Sequence, residues 1–278
     1  MRMSFTKVAA AAAVLAGVST SALAIPYVTL VLSDVDVTTS TLVTKSCSTD
    51  TAANVALCAA SGFLTGGVGS TLISFGTILA PLGGGFASSG VIGSYTITST
   101  SAESNAPGTP QEAFLNRSQT SALRNNPGNA DVHYLQVDFQ SYGFTDPNGE
   151  FKTLSASAGM TANAGSYSAS DKMTSFFSVD KANGLAATAS VACALMKAGP
   201  GVALDESCNL GPVQWQDTFS PASLFSMRSI QRFEVAIGSR INSTANSVVV
   251  PEPMSTALVG IGLFGLAVAS RRRASKKA

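Results

Sequence analysis

The sequence has little of what most enzymes use for catalysis. Of its 278 residues only one is a histidine, His133, and 12% are charged, against the ~25% that is usual in soluble proteins. A serine or cysteine nucleophile would have to use His133 as its base, and the G-x-S-x-G elbow of many hydrolases is absent. The glycines at 83–85 are not followed by the Lys-Ser/Thr pair of a phosphate-binding loop. No residue pattern therefore identifies an activity.

Charge is also unevenly distributed along the chain. Residues 25–250 contain ten basic and fifteen acidic residues, a net charge of −5, so the basic ends account for the +1 of the whole chain. An acidic body without a basic cluster argues against nucleic acid as a partner. No charged residue occurs from Thr51 to Ala102, but glycines and Pro81 interrupt this stretch. The interruptions favour strands over a membrane-spanning helix there.

The four cysteines form two pairs that are close in sequence, Cys47 with Cys58 and Cys193 with Cys208. An even number in an exported chain favours disulfides, and three connectivities are possible. We expect the two local pairs to be bonded. Because no histidine or further cysteine lies near either pair, we predict no zinc site. No motif for another metal or for a cofactor is present either.

The N-terminus has the parts of a secretory signal peptide. Arg2 and Lys7 form a basic region, and an apolar run follows them. Ala22 and Ala24 then give the small-x-small form of a cleavage site. We expect cleavage after Ala24, which removes residues 1–24 and leaves the rest of the chain exported.

The C-terminus has a second three-part pattern. Val250-Pro251-Glu252-Pro253 is followed by an uncharged apolar segment, residues 254–270, and then by Arg271-Arg272-Arg273. A segment of about 17 apolar residues is at the short end of what spans a bilayer, and arginines stay on its cytoplasmic side. Each proline disfavours helix for the residue before it, so the chain should meet the membrane in an extended, accessible form.

This C-terminal block, residues 250–278, resembles the PEP-CTERM sorting tag of Gram-negative bacteria. It departs from the tag only in the five residues that extend beyond the arginines. The resemblance implies a substrate of exosortase, a membrane-embedded processing enzyme, and an association with extracellular polysaccharide and biofilm matrix. It also implies a transient anchor in the inner membrane, followed by transfer to the cell surface or the extracellular space. The alternative is a simple membrane anchor preceded by an ordinary turn.

Residues 25–241 are predicted to form a mainly β domain, an antiparallel β-sandwich or jelly-roll-like fold. Short alternating segments separated by Gly, Pro and Asn turns favour this class. The predicted strands are 28–38, 70–80, 90–100, 132–144, 150–158, 173–180, 185–196, 212–219 and 230–241. Asp146-Pro147-Asn148-Gly149 predicts a hairpin between the strands on either side of it. Helices are predicted at 50–61 and 111–124, and a polar spacer at 242–249 leads to the tag.

Two acidic stretches are weak candidates for calcium sites. Asp34 and Asp36 share one face of a strand, and Asp146, Asn148 and Glu150 place three oxygen ligands at alternate positions. Neither stretch matches a full calcium loop, so a solvated strand edge and a hairpin turn are the simpler interpretations. His133 is interpreted as a structural histidine in the middle of a strand. Aromatic residues that could form either a sugar platform or the core are Tyr134, Phe139, Tyr142, Phe144, Phe151, Phe176, Phe177 and Trp215.

Together these features favour a non-enzymatic, exported protein. The leading hypothesis is a structural or glycan-binding component of exopolysaccharide or biofilm matrix, sorted through its C-terminal tag. A secreted polysaccharide hydrolase that uses carboxylates is the alternative, although one sequence cannot show two acids converging across a cleft. A matrix filler without a specific ligand is the third hypothesis.

Overall fold

The computed structural model describes residues 25–37, 39–40, 42–76, 90–125, 133–145, 151–162, 172–181, 187–196, 204–216 and 224–251. The predicted signal peptide with Ala22 and Ala24 lies outside these residues, as do Glu252, Pro253, the apolar segment 254–270 and the three arginines that follow it. Within the described ranges, no helix is long and apolar enough to cross a membrane.

The described part of the chain contains fourteen strands and one helix. Their bounds are β1 Tyr27–Asp36, β2 Leu42–Ser48, α1 Ala52–Ala60, β3 Phe63–Thr65, β4 Leu72–Gly76, β5 Gly90–Ile92, β6 Tyr95–Ser104, β7 Ala113–Arg124, β8 His133–Phe144, β9 Phe151–Ala162, β10 Lys172–Lys181, β11 Ala187–Met196, β12 Leu204–Gln216, β13 Phe225–Glu234 and β14 Arg240–Pro251.

The strands form two antiparallel sheets. One has six strands in the order β11-β10-β13-β8-β1-β2, and the other has eight, in the order β12-β9-β14-β7-β6-β4-β3 with β5 paired to β6. Every strand pair is antiparallel. From β7 to β10 successive strands alternate between the two sheets. The predicted mainly β, antiparallel sandwich is thus confirmed.

Alternation along the strands directs apolar side chains into the space between the sheets. In β8, Leu135, Val137 and Phe139 are fully buried, while the residues between them are only half-buried. The eight-stranded sheet contributes Leu154 and Ile241, also fully buried, from the other side. Burial of each such side chain stabilises the fold by about 1.5–3 kcal/mol, which makes this layer the main source of stability.

Small hydroxyl groups join the two sheets across the core. The Oγ atoms of Ser104 in β6 and Ser141 in β8 are 2.7 Å apart. The hydroxyl of Tyr95 donates to the carbonyl oxygen of His133 at 3.1 Å, and burial raises the pKa of this phenol. These contacts satisfy polar groups that would otherwise be costly to bury, and they fix the two sheets relative to each other.

Both predicted disulfides are present. Cys47–Cys58 joins β2 to α1, whose N-cap Thr51 accepts a hydrogen bond from the backbone N–H of Asn54. Cys193–Cys208 joins β11 to β12, which are edge strands of the two different sheets. The second bond therefore closes one side of the sandwich covalently. Two disulfides are typical of proteins in an oxidising environment.

Several predicted elements agree with the structure, namely β1, β10, β11 and α1. The predicted helix at 111–124 is wrong, because Ala113–Arg124 forms β7 between β6 and β14. Its inward positions Ala113, Leu115 and Ala122 are buried, which is the alternation of a strand. Pairing on both sides outweighs the weak helical preference of this polar segment.

The predicted hairpin of 132–144 with 150–158 is also wrong. Those segments correspond to β8 and β9, which lie in different sheets, and β8 pairs with β1 and β13 instead. A turn signal such as the one at 146–149 predicts a reversal of the chain but does not determine the pairing partner. The turn itself lies outside the described residues.

The C-terminal boundary of the domain is later than predicted. The predicted strand 230–241 covers the end of β13, a turn and the start of β14. The predicted spacer 242–249 lies inside β14, because Ile241, Ala245 and Val249 point into the core between small polar residues. Likewise β12 begins earlier than the predicted strand 212–219. The folded unit therefore continues to Pro251.

Candidate functional site

The outward side chains of the six-stranded sheet form a surface of mixed aromatic, charged and uncharged polar groups. We call this surface the six-strand face. Its central strands β8, β13 and β10 bury one set of side chains and direct the alternate set outward. The outward residues are Tyr134, Gln136, Asp138, Gln140 and Tyr142 from β8, Arg228, Ile230, Arg232 and Glu234 from β13, and Lys172, Thr174, Phe176, Ser178 and Asp180 from β10.

Charged groups on this face form ion pairs of opposite sign. Arg228 donates to both carboxylate oxygens of Asp138, from Nε at 2.9 Å and from Nη2 at 2.5 Å, and this hydrogen bonding raises the pKa of Arg228. Glu234 forms two ion pairs. Its Oε1 lies 3.2 Å from Nη2 of Arg232, and its Oε2 lies 2.7 Å from Nζ of Lys172. The carboxylates and cations thus neutralise one another, and the face presents fixed polar groups with little net charge.

Aromatic rings flank these ion pairs. The guanidinium carbon of Arg232 lies 3.4 Å from the ring centroid of Tyr134, a cation–π contact. Tyr142 stacks on Tyr27 of β1 with centroids 4.3 Å apart and ring planes 14° from parallel. Burial, then the neighbouring Tyr27, raises the pKa of Tyr142 to about 12. The Tyr142 hydroxyl therefore remains a neutral hydrogen-bonding group at physiological pH.

A depression of about 450 Å³ lies where β11 meets β10 on this face. Phe176 and Ile230, which are register partners, form an apolar part of its lining. Ala192 is the register partner of Phe176 on the other side, and its small side chain leaves room beside the ring. Polar groups come from Gln136, Thr174 and Arg232. A mainly apolar lining with a few converging polar groups is typical of small-molecule sites.

A second polar cluster lies at the opposite end of β8 from Tyr142. His133 begins β8 rather than occupying its middle as predicted, and its Nδ1 lies 3.0 Å from Oδ1 of Asp34 and 3.2 Å from Oγ of Ser94. Its Nε2 is 3.9 Å from Oδ2 of Asp36. The structure thus brings together the only histidine and the two carboxylates of β1, and all three are largely buried.

The geometry of this cluster differs from that of a catalytic triad. In a triad the serine and the carboxylate bind opposite ring nitrogens, whereas Ser94 and Asp34 both contact Nδ1 of His133. Asp34 also accepts the backbone N–H of Ser94 at 2.6 Å, which fixes the turn between β5 and β6. Asp36 accepts the backbone N–H of Thr39. Within the described ranges no group of three metal-binding side chains is placed to hold a metal ion.

The predicted aromatic residues divide between core and surface. Phe139, Phe144 and Phe177 are buried in the core, whereas Tyr134, Tyr142 and Phe176 belong to the six-strand face. The side chains of Phe151 and Trp215, and the whole of Asp146, Asn148 and Glu150, lie outside the described part of the structure. The sequence patterns did not single out the polar residues of the depression as candidate site residues. Their signal was the alternation of polar side chains along β8 and β13.

The first half of the predicted sorting motif belongs to the folded domain. Val250 and Pro251 end β14, where they are register partners of Thr153 and Lys152 in β9. β14 is an interior strand that also pairs with β7, but this second pairing stops at Val249, so Val250 and Pro251 are paired to β9 alone.

No protein-family model matches the chain, and no curated protein matches it. Among solved structures, a carbohydrate-binding module from the β-sandwich superfamily is 10% identical with a TM-score of 0.27, and the match covers 56% of each chain. A family 11 carbohydrate-binding module from Clostridium thermocellum, in complex with a β-1,3-1,4-mixed-linked tetrasaccharide, is 8% identical with a TM-score of 0.22, and the match covers 63% of this chain and 95% of that one. A cyclase from Fischerella sp. TAU is 7% identical with a TM-score of 0.23 over 57% and 90% of the two chains. The likeness is too low to assign a ligand.

Proposed function

We propose that the protein is a non-enzymatic, exported component of the cell surface or extracellular matrix that binds polysaccharide at its six-strand face. The depression beside Phe176 is the observation that carries this proposal. A sugar ring has an apolar face and a rim of hydroxyl groups. Phe176 and Ile230 can pack against the apolar face of the ring. The side chains of Gln136, Thr174 and Arg232 can form hydrogen bonds with its hydroxyl groups.

The groups that would bind a sugar are already held in place. Arg232 is fixed by Glu234 on one side and by the ring of Tyr134 on the other. Glu234 is itself held by Lys172. Because the strands are rigid and the guanidinium is oriented before binding, little conformational entropy is lost on association.

The charged groups on this face fit binding of a sugar better than its hydrolysis. A glycosidase needs a pair of carboxyl groups, one of which donates a proton to the leaving oxygen. The carboxylates beside the depression, Asp138 and Glu234, are each committed to basic side chains, Asp138 to Arg228 and Glu234 to Arg232 and Lys172. This arrangement supports a fixed recognition surface.

The proposed route to the surface uses both ends of the chain. The signal peptide would direct export, and the PEP-CTERM tag would hold the domain at the inner membrane until an exosortase-type enzyme processes it. Only Glu252 and Pro253 separate the end of β14 from the apolar segment 254–270. Processing beyond Pro251 would leave the described fold intact. The two disulfides fit an oxidising, extracytoplasmic destination.

The test is to truncate the polar groups of the depression and measure binding to a panel of oligosaccharides. Gln136→Ala with Thr174→Ala removes two side chains from the lining, and each hydrogen bond contributes about 1 kcal/mol, so affinity should fall at least about tenfold. Ser190→Ala on β11, outside the depression, is the matched control and should bind like the wild type. Equal affinity for the double variant and the control would refute this site.

A further inference from the structure

A second depression lies on the other side of the sandwich. We call the outward surface of β12, β9 and β14 the eight-strand face. Its depression measures about 320 Å³ and is lined by residues from all three strands. It shares no residue with the depression beside Phe176, because the two belong to opposite sheets.

A backbone irregularity shapes this depression. The register of β12 against β9 shifts between Leu210 and Val213, so Gly211 and Pro212 leave the regular ladder. Gly211 has a φ of +97°, and a Cβ atom there would lie 2.7 Å from the carbonyl oxygen of Leu154. Only glycine allows this close approach of the two strands. The depression is therefore formed by the chain itself before any ligand arrives.

The polar groups of this depression are uncharged and regularly placed. Asn246, Ser157 and Asn209 are register partners across β14, β9 and β12, so an amide, a hydroxyl and a second amide follow one another at the strand spacing of ~4.8 Å. Both asparagines are exposed, whereas the alternate residues of β9 are buried. Leu210 and Val248 provide the apolar part of the lining. Among the side chains that the structure describes, none of those lining it is charged.

We propose that this depression is a second glycan site, selective for uncharged sugars, and that the protein bridges polysaccharide chains through its two faces. An amide both donates and accepts hydrogen bonds, as does a sugar hydroxyl, whereas an anionic sugar would find no basic partner here. Sites on opposite sheets cannot both be filled by one short oligosaccharide, so each binds a separate chain. The bridging part of the proposal rests on the proposed function of the six-strand face.

The experiment measures binding stoichiometry on the full chain, purified in a detergent without a sugar headgroup. The probes are neutral oligosaccharides of β-glucan, mannan, galactan and xylan, titrated by calorimetry. We expect two sites in the wild type and one in Asn209→Ala with Asn246→Ala, whose second site should weaken at least about tenfold. Thr244→Ala, an exposed residue of β14 outside the depression, is the matched control and should retain both sites.

The outcomes separate the two proposals. A single site that is lost in the Gln136→Ala, Thr174→Ala variant and unaffected by the asparagine changes would overturn the second site and leave the proposed function standing. A single site lost only with the asparagines would support the second site and overturn the first. No binding to any probe would overturn both. Bridging is read from light scattering of the matching polysaccharide, which should rise with the wild type and not with either double variant.

Discussion

At the scale of single residues, the six-strand face depends on side chains whose protonation the fold controls. Burial, then Tyr27, raises the pKa of Tyr142 from 10.0 to about 12. As the pH rises from 10.0 to about 12, the unfolded chain loses this proton while the folded chain keeps it. The stabilising contribution is therefore complete below pH 10.0 and is lost as the pH rises toward 12.

The change Tyr142→Phe removes this titration. We expect the variant to lose less stability than the wild type when urea midpoints at about pH 8 and about pH 11 are compared. Other buried phenols, including Tyr95, titrate equally in both proteins and cancel in the comparison. If both proteins lost the same stability over this range, the burial of the Tyr142 phenol would be of no energetic consequence.

At the scale of elements, sequence patterns predicted the strands, the helix and the disulfides whose formation depends on residues close together in the sequence. Alternation located β1, β10 and β11, the cysteine spacing located both disulfides, and the helix predicted at 50–61 corresponds to α1. The Ser and Asn residues of β7 and β14 have no strong strand preference, so pairing with neighbours on both edges is what stabilises these strands. The same limit explains why a strong turn signal after β8 led to a wrong hairpin.

The disulfide between β11 and β12 should stabilise the sandwich by restricting the unfolded chain. Its sequence separation is 15 residues, for which loop closure accounts for about 3 kcal/mol. Replacing Cys193 and Cys208 together by serine should therefore lower the free energy of unfolding by about that amount, measured by urea denaturation. Ser190→Ala on the same strand is the control. An unchanged urea midpoint in the double variant would show that the two sheets do not need this link.

The proposed C-terminal tag can be tested with a change that reaches only the last residue of β14. Replacing Pro251-Glu252-Pro253 by three alanines should leave the protein membrane-bound and unprocessed, because the extended, proline-marked handle ahead of the membrane is lost. Cell fractionation and the mass of the protein report the result. A matched control changes Thr244 to alanine in β14, which leaves the tag intact. Normal release of the alanine variant would contradict the sorting hypothesis.

At the scale of the whole molecule, function depends on which strands become neighbours. The depression beside Phe176 forms because the order β11-β10-β13-β8 brings the consecutive strands β10 and β11 together with β13 and β8, which are far from them in sequence. The sequence marked Tyr134, Tyr142 and Phe176 as candidate platform residues. It could not show that Gln136 and Arg232 lie beside Phe176, because sheet order is a long-range property that no local pattern contains.

The most direct test of this account treats binding and turnover together. The fragment 25–251 contains every described strand and both disulfides. After circular dichroism has shown that it unfolds cooperatively, it is titrated against neutral polysaccharides, and the same mixtures are assayed for newly formed reducing ends. We predict saturable binding, whose component at the six-strand face the Gln136→Ala, Thr174→Ala variant weakens at least about tenfold, with no reducing ends above the background. Release of reducing ends by the wild type, or the absence of any binding, would contradict the account.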